Sequence, residues 1–466
     1  MPHPLLKTEV GAVFTQSQGM FLLAFPSPYS MAMSSLGFLT VHRKINENPF
    51  WCCERITSDT GDLSIETLRN PLDFHIIGFS VSYELEVLEV IRMLQRWRIP
   101  VEKDLRNESH PLLVAGGALS TINQDLLLEI FDVVFVGDAE ESLDFFLKKS
   151  ELLERDELLC DISTFSGIRT HYTPEKIKSS VCAIGNTPAW SHILTKKSQF
   201  GERMLVETSR GCPRGCTFCT IGRNGTASPF RIVPEEIIFE KAPPDGTAVG
   251  LVGAAVSDHP QLKSIVRAYA ESNGHVSLSS LRADRLDGDL LSYLAKGGMN
   301  VLTVASDGAS ERIRKKIKKG ITAEHIIGSA QIAKELGIWK LKIYEIIGFP
   351  WETDEDILEM AELANELGSI IPTSITTSIF VPKPTTVLSD EPFPDARTVK
   401  NTVRKFSNLT RGSVRLKTVS YHEARCEYLI GILKPGNLSV LINHVNSEAG
   451  LSSLSRSLFE VFQSQR

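Results

Sequence analysis

No run of eighteen apolar residues occurs in this 466-residue chain, which speaks against a membrane-spanning helix. The N-terminal Met1-Pro-His-Pro-Leu-Leu-Lys-Thr-Glu lacks the layout of a signal peptide, so a cytoplasmic protein without membrane contact is expected. Positive charge is not in excess. With 50 Lys and Arg against 56 Asp and Glu, net charge is −6, and no general footprint for nucleic acid is present. The eight cysteines are too scattered outside one cluster to suggest a disulfide framework, so reduced thiols are expected. No internal repeat or low-complexity tract stands out.

What is present is an ordinary globular composition, 42% hydrophobic and 23% charged, long enough for two or three domains. One stretch departs from the ordinary. After the apolar Met204-Leu205-Val206, the chain reads Glu-Thr-Ser-Arg-Gly-Cys212-Pro-Arg-Gly-Cys216-Thr-Phe-Cys219, a C-x3-C-x2-C run. Three thiolates on one loop can each bind an iron of one [4Fe–4S] cubane, leaving the fourth iron open. Zinc is the competing ligand, but it wants a fourth protein ligand and commonly a second C-x2-C pair, which the chain lacks.

Apolar strands and helix-period segments alternate around this loop. In the first third, strands are expected at Met20–Phe25, His75–Ser82, Leu112–Gly117 and Val133–Gly137, with helices near 31–45, 85–97 and 140–159. That alternation predicts a doubly wound parallel sheet, an α/β domain over 1–159, whose ligands sit beyond the carboxyl ends of the strands. A connector is expected over 160–202. From 203 to 390, strands at Met204–Thr208, Val249–Ala255, His275–Leu281, Val301–Ser306, Leu341–Ile347 and Ser374–Val381 alternate with helices starting near Pro234, Pro260, Asp287, Glu311, Thr322 and Thr353. Pro234 and Pro260 suit first-turn positions, Thr353–Asp356 a capping box, and Gly337 and Gly368 helix stops. Ile313 and Ile317 should face the core, leaving the basic remainder of 311–319 as a solvated face. Residues 391–466, with a strand candidate at Leu416–Ser420, read as a small C-terminal extension.

The cysteine run, with Arg210-Gly211 before it and Phe218 inside it, resembles the radical S-adenosylmethionine (SAM) enzymes. That resemblance implies a partial (β/α)6 TIM-type barrel, a [4Fe–4S] cluster on Cys212, Cys216 and Cys219, and SAM chelated to the open iron. Reductive cleavage would then give a 5′-deoxyadenosyl radical, with a flavodoxin or ferredoxin as electron donor. The resemblance also assigns candidate SAM contacts: Gly253 and Ala254 after the second barrel strand, Ser279 and Arg282 after the third, Ser306 and Asp307 after the fourth, and Gly348 in Gly348-Phe-Pro-Trp-Glu352-Thr. The competing reading of Gly253 is tight strand packing, and that of Arg282 a loop-closing salt bridge. His259 is expected to be structural.

A strand ending in Gly116-Gly117, followed by one ending in Gly137-Asp-Ala-Glu140, is similar to the cobalamin-binding domain that precedes many radical SAM barrels. In that reading Gly116, Gly117, Gly137 and Glu140 border the corrin. The loop Pro26–Gly37 contains no histidine, which implies either histidine-free cobalamin coordination or a domain that has lost the cofactor. The resemblance covers roughly residues 20–385. It points to a cobalamin-dependent C-methyltransferase acting on a small-molecule or peptide substrate. A cobalamin-independent cyclase or rearrangement enzyme, a methylthiotransferase and a non-catalytic cluster-bearing sensor are the alternatives.

Overall fold

Residues 3–13, 16–222, 229–412 and 414–464 are described in the computed structural model. The chain forms two compact units. One comprises residues 1–183, 189–205 and 429–466, the other 184–188 and 206–428. Residues 391–466, expected as one extension, are therefore divided between the two.

The first unit is built on a six-stranded sheet. Its elements are β1 (Gly19–Phe25), α1 (Leu36–Glu47), β2 (Trp51–Thr57), β3 (Ile76–Ser80), α2 (Glu86–Arg96), β4 (Leu112–Gly116), α3 (Gln124–Ile130), β5 (Val133–Phe135), α4 (Glu140–Ser150) and β6 (Ile168–Arg169). Their order is β2-β1-β3-β4-β5-β6, parallel except for the last pair. This doubly wound order has its switch point between β1 and β3. The predicted helix over 140–159 is instead two, ending at Ser150 and resuming at Arg155–Ile162.

β2 was not expected, because Glu54 and Arg55 interrupt its apolar pattern. All seven of its residues are nevertheless buried. Arg55 pairs with Glu9 (Nη2–Oε2 2.7 Å) and Glu66 (Nε–Oε1 2.6 Å), and Glu54 accepts from Ser64 and Thr67. A buried charge survives when it is paired and hydrogen-bonded. His42 and His192 extend this network, Nδ1 to Nε2 at 3.0 Å, with their rings stacked.

The second unit carries β7 (Met204–Glu207), α5 (Glu235–Lys241), β8 (Val249–Val252), α6 (Leu262–Glu271), β9 (Val276–Leu278), α7 (Gly288–Lys296), β10 (Val301–Ala305), α8 (Glu311–Lys316), α9 (Ala323–Glu335), β11 (Lys340–Ile347), α10 (Asp354–Ile370), β12 (Thr373–Ile379), α11 (Ala396–Leu409) and β13 (Val414–Thr418). A three-stranded sheet β9-β8-β7 and a four-stranded sheet β10-β11-β12-β13 meet at a parallel bridge between Leu281 and Val304. β13 thus extends the barrel by one parallel strand, reached from β12 through α11.

Several start and stop signals lie elsewhere than expected. Pro234 is the N-cap of α5 rather than its first turn, and Gln261 separates Pro260 from α6. Gly337, at φ +77°, ends α9, but Gly368 lies inside α10, whose buried face runs on through Leu363, Ala364 and Leu367. The capping box stands: Asp356 accepts from the Thr353 N–H at 2.8 Å and from its hydroxyl at 3.0 Å. No helix among the described residues is long and apolar enough to cross a membrane.

Candidate active site

The cysteine loop follows directly from β7, at the C-terminal strand end where parallel barrels gather their chemistry. Gly211, at φ +77°, supplies the backbone turn into Cys212. Arg210 forks onto Glu207 (2.7 and 2.9 Å), fixing the approach. The loop is then tied to the segment after β8 and to the C-terminal end of α8. Arg214 makes a two-point contact with Asp258 after β8, and Arg285 after β9 reaches the same carboxylate at 3.3 Å. The Thr217 N–H donates to Ile317 O at 3.0 Å, and the Cys216 thiol lies 3.8 Å from Lys318 O.

Cys216 is buried, while Cys212 and Cys219 are half-buried. Burial pushes the Cys216 thiol pKa up, Lys319 and Arg282 pull it back, and the neighbouring Cys219 adds to the rise. Cys212 is likewise raised by burial and feels Cys219. Cys219 therefore lies within electrostatic reach of both other sulfurs. Among the described residues no three His, Cys, Asp or Glu side chains gather as a set for a single metal ion. A cubane asks for one thiolate per iron instead.

Among the described residues, the buried hydroxyls of Ser209, just before the loop, and Thr217, within it, have no hydrogen-bond partner. Buried polar groups are normally satisfied, and cluster sulfides accept hydrogen bonds. Three clustered thiols beside two such donors fit an iron–sulfur cluster.

The other expected SAM contacts fall into two groups. Ala254 and Ser279 are exposed at the ends of β8 and β9. The rest serve the fold visibly. A Cβ on Gly253 would lie 2.7 Å from Ser209 Oγ and 2.9 Å from Ser209 O, so tight packing alone demands glycine. Arg282 forks onto Asp284 (3.0 and 3.2 Å) and donates to Lys319 O at 2.8 Å, the loop-closing arrangement. Ser306 is fully buried, and Asp307, at φ +59°, pairs with Lys319. Gly348, at φ +86°, donates its N–H to Glu352, whose own pKa burial pushes up to about 7. His259 is structural, bonding Val233 O and Gln261 N.

Three features escaped the sequence. Arg314, read as part of a solvated face, is 1% exposed and donates to Ile321 O and Gly308 O, both at 3.0 Å. Beside it Glu345 on β11 is fully enclosed and pushed up to about 8 by burial, against the pull of Arg314. The alternation of charge with Ile313 and Ile317 gave no sign that one arginine turns inward. Arg214, although it stands inside the cysteine motif, was given no role by the sequence either.

At the strand ends of the first unit, Glu86 accepts from the Ser27 hydroxyl and the Ser82 and Tyr83 N–H groups, bridging the β1 and β3 loops. Gly117 and Gly137 are exposed on one side, with Ser82 and Ala118. Their other sides meet the chain itself. A Cβ would strike Val81 O at 2.4 Å from Gly117, and the Ser180 backbone at 2.5 Å from Gly137. Gly116 has only the Phe135 Cβ, at 3.5 Å. The chain's own packing already accounts for two of the three glycines.

Comparison with known proteins places this geometry. The profile of the radical SAM superfamily matches residues 206–364, and that of the N-terminal region of radical SAM proteins matches residues 37–174. The chain belongs to the radical SAM superfamily. An uncharacterized protein of Methanocaldococcus jannaschii is 28% identical over 408 residues, 85% of this chain and 86% of that one. A putative methylthiotransferase of the same organism is 25% identical over 333 residues, 68% of this chain and 69% of that one. The solved structure of the cobalamin-dependent S-adenosylmethionine radical enzyme OxsB, with aqua-cobalamin and S-adenosylmethionine bound, matches at a TM-score of 0.57 and 16% identity. It covers 96% of this chain and 71% of that one. At that identity the likeness is one of fold.

Proposed function

We propose that this radical SAM enzyme cleaves SAM reductively on a [4Fe–4S] cluster held by Cys212, Cys216 and Cys219, and transfers a methyl group to carbon with cobalamin as carrier. The observation that carries the first part is the thiol loop tied to Asp258 after β8 and to the end of α8, with the buried hydroxyls of Ser209 and Thr217 unpartnered among the described residues. When bound, the cluster supplies the electron that breaks a carbon–sulfur bond of SAM. The protein supplies position and exclusion of water. Arg214, Asp258 and Arg285 hold the loop, Ser209 and Thr217 offer hydroxyls to it, and Ala254 and Ser279 stand open toward a SAM molecule. Gly253, Arg282, Ser306, Asp307 and Gly348 act one step back, shaping the loops through the contacts described above.

The methyl-transfer part rests on the shared fold with a cobalamin-dependent enzyme and on the small residues Ser82, Gly116, Gly117, Ala118 and Gly137 at the strand ends of the first unit. Cobalamin, when bound, supplies a transferable methyl group. Glu140 opens α4 shortly after Gly137. An external reductase is required as electron donor.

The test is anaerobic purification, cluster reconstitution, and incubation with SAM and dithionite, followed by hydroxocobalamin loading and desalting. About four irons per chain, deoxyadenosine formation and near-stoichiometric cobalt are expected. Deoxyadenosine without retained cobalt would remove the methyl-carrier reading. It would favour a cobalamin-independent reaction, in line with Gly117 and Gly137 being shaped by the chain itself. Absence of deoxyadenosine would sink the enzyme reading.

A further inference from the structure

The two faces of the β10–β13 sheet differ in kind. Register aligns Thr303, Lys342, Ser374 and Arg415 in one cross-strand row, and Ala305, Tyr344, Thr376 and Lys417 in the next. The alternate residues Val304, Ile343 and Ile375 form the other face, and Ile379 of that face packs on Val399 of α11. The two rows therefore point away from the helices, to the barrel side.

Barrel interiors are ordinarily filled by branched apolar side chains. These rows instead hold three cations, hydroxyls on Thr303, Tyr344, Ser374 and Thr376, and no acid. Arg415 and Lys417 are exposed, and neither side chain has a salt bridge or hydrogen bond among the described residues. Lys342 donates to the Tyr344 hydroxyl at 2.7 Å, with its ammonium 4.6 Å from that ring's centre. Strands about 4.8 Å apart, with two residues of rise between the rows, put the three cations within roughly 12 Å of one another, little more than a Debye length at about 0.1 M salt. Such a group repels itself until an anion joins it.

We propose that this face binds the anionic part of the substrate, a small molecule bearing phosphate or carboxylate. Arg415 offers a planar fork suited to two oxygens of either group, Lys342 and Lys417 act as point charges, and Tyr344, Ser374 and Thr376 add hydrogen bonds. The substrate's role depends on the radical SAM reading, while anion binding does not and is measured without SAM or reductant.

Titration calorimetry of the full-length protein with pyrophosphate and with citrate, at low and moderate salt, tests this. Saturable binding that weakens with salt is expected for at least one probe. The Arg415→Gln, Lys417→Gln double variant should bind at least tenfold more weakly, with Arg415→Lys intermediate. Lys334→Gln, on the exposed side of α9, should match wild type. Unchanged thermal midpoints guard against misfolding, and the charge-retaining variant serves if the double variant is damaged. Tighter pyrophosphate supports a phosphorylated substrate, and tighter citrate a polycarboxylate. No saturable binding, or equal binding by the double variant, overturns the proposal. So does displacement of pyrophosphate by an RNA oligonucleotide with a steep salt dependence. Deoxyadenosine formed without anion binding would sink this inference alone, and the reverse only the radical reading.

Discussion

The sheet of the first unit and the β10–β13 sheet of the second are both parallel and both fed by helices, yet they use their faces differently. β1 is buried or nearly so along its length and β2 is wholly buried, apolar apart from Glu54, Arg55 and Thr57, each of which has its own partners. β11 and β12 instead alternate strictly, buried and half-buried, with the half-buried side polar apart from Ile346 at the end of β11. A parallel sheet covered on both faces reads as nearly continuous hydrophobic runs. Where one face alternates to lysine, serine and threonine, that face is kept wet for something other than packing. The first sheet spends its polar residues on internal ion pairs, and the second leaves them open.

The largest expected effect separates the two regions by chemistry. Cys216→Ala removes one cluster ligand, so deoxyadenosine yield should fall to the level seen without reductant. Iron content should drop with it, while the first unit keeps its urea midpoint. An unchanged yield would overturn the cluster assignment.

The next breaks the first region and spares the second. Arg55→Met leaves the Glu9 and Glu66 carboxylates buried without their cation. Removing one partner of a buried pair costs about 3–5 kcal/mol, to be read from urea unfolding. A midpoint within error of wild type would mean that the ion pairs around β2 contribute nothing.

These two sites differ in how far the sequence disclosed them. The cysteine loop was legible because ligand chemistry fixes both residue type and spacing, whereas the tie of Arg214 to Asp258 was not. The strands of the barrel were legible because Val, Ile and Leu runs are bounded by turns. β2 was not, since an arginine and a glutamate in a strand look exposed until Glu9 and Glu66 are brought to Arg55, and Ser64 and Thr67 to Glu54, from other segments. Arg314 failed for the same reason. Its acceptors are carbonyls of Gly308 and Ile321, set by loop geometry that residue types do not encode. The division of 391–466 was hidden too. Asn123 binds Ile430 O and Leu433 O, both at 3.0 Å, tying the chain end to a helix three hundred residues earlier.

A subtler contrast appears on titration. In the first unit burial holds His192 down to about 3 and His42 well below its ordinary 6.5. The unfolded chain then binds more protons, so stability is full above about 6.5 and is lost as pH falls toward 3. In the second unit Glu345 is pushed up from 4.5 to about 8 by burial, so the folded state binds more protons. Its stability is full below 4.5 and is lost as pH rises through 8. Hydrogen exchange resolved by segment should show β2 softening in acid and β11 softening in alkali. Glu345→Gln should flatten the alkaline limb alone. Both segments softening at the same end would show that these groups do not govern the response.

The smallest effect tests whether the outer helix layer of the second unit is held by local chemistry as well as by packing. The Thr353 N–H and hydroxyl both donate to Asp356, closing the first turn of α10, the helix that covers the apolar side of β12. Thr353→Ala removes the hydroxyl's bond and should cost about 1 kcal/mol, with Thr353→Ser restoring most of it. Asp356→Ala should cost more, because that carboxylate also receives Arg312 and the Ser310 hydroxyl. If the alanine at 353 cost as much as the alanine at 356, the cap itself, not the bonds to α8, would be what anchors α10. The polar inner face would then depend on a helix end rather than on the network beneath it.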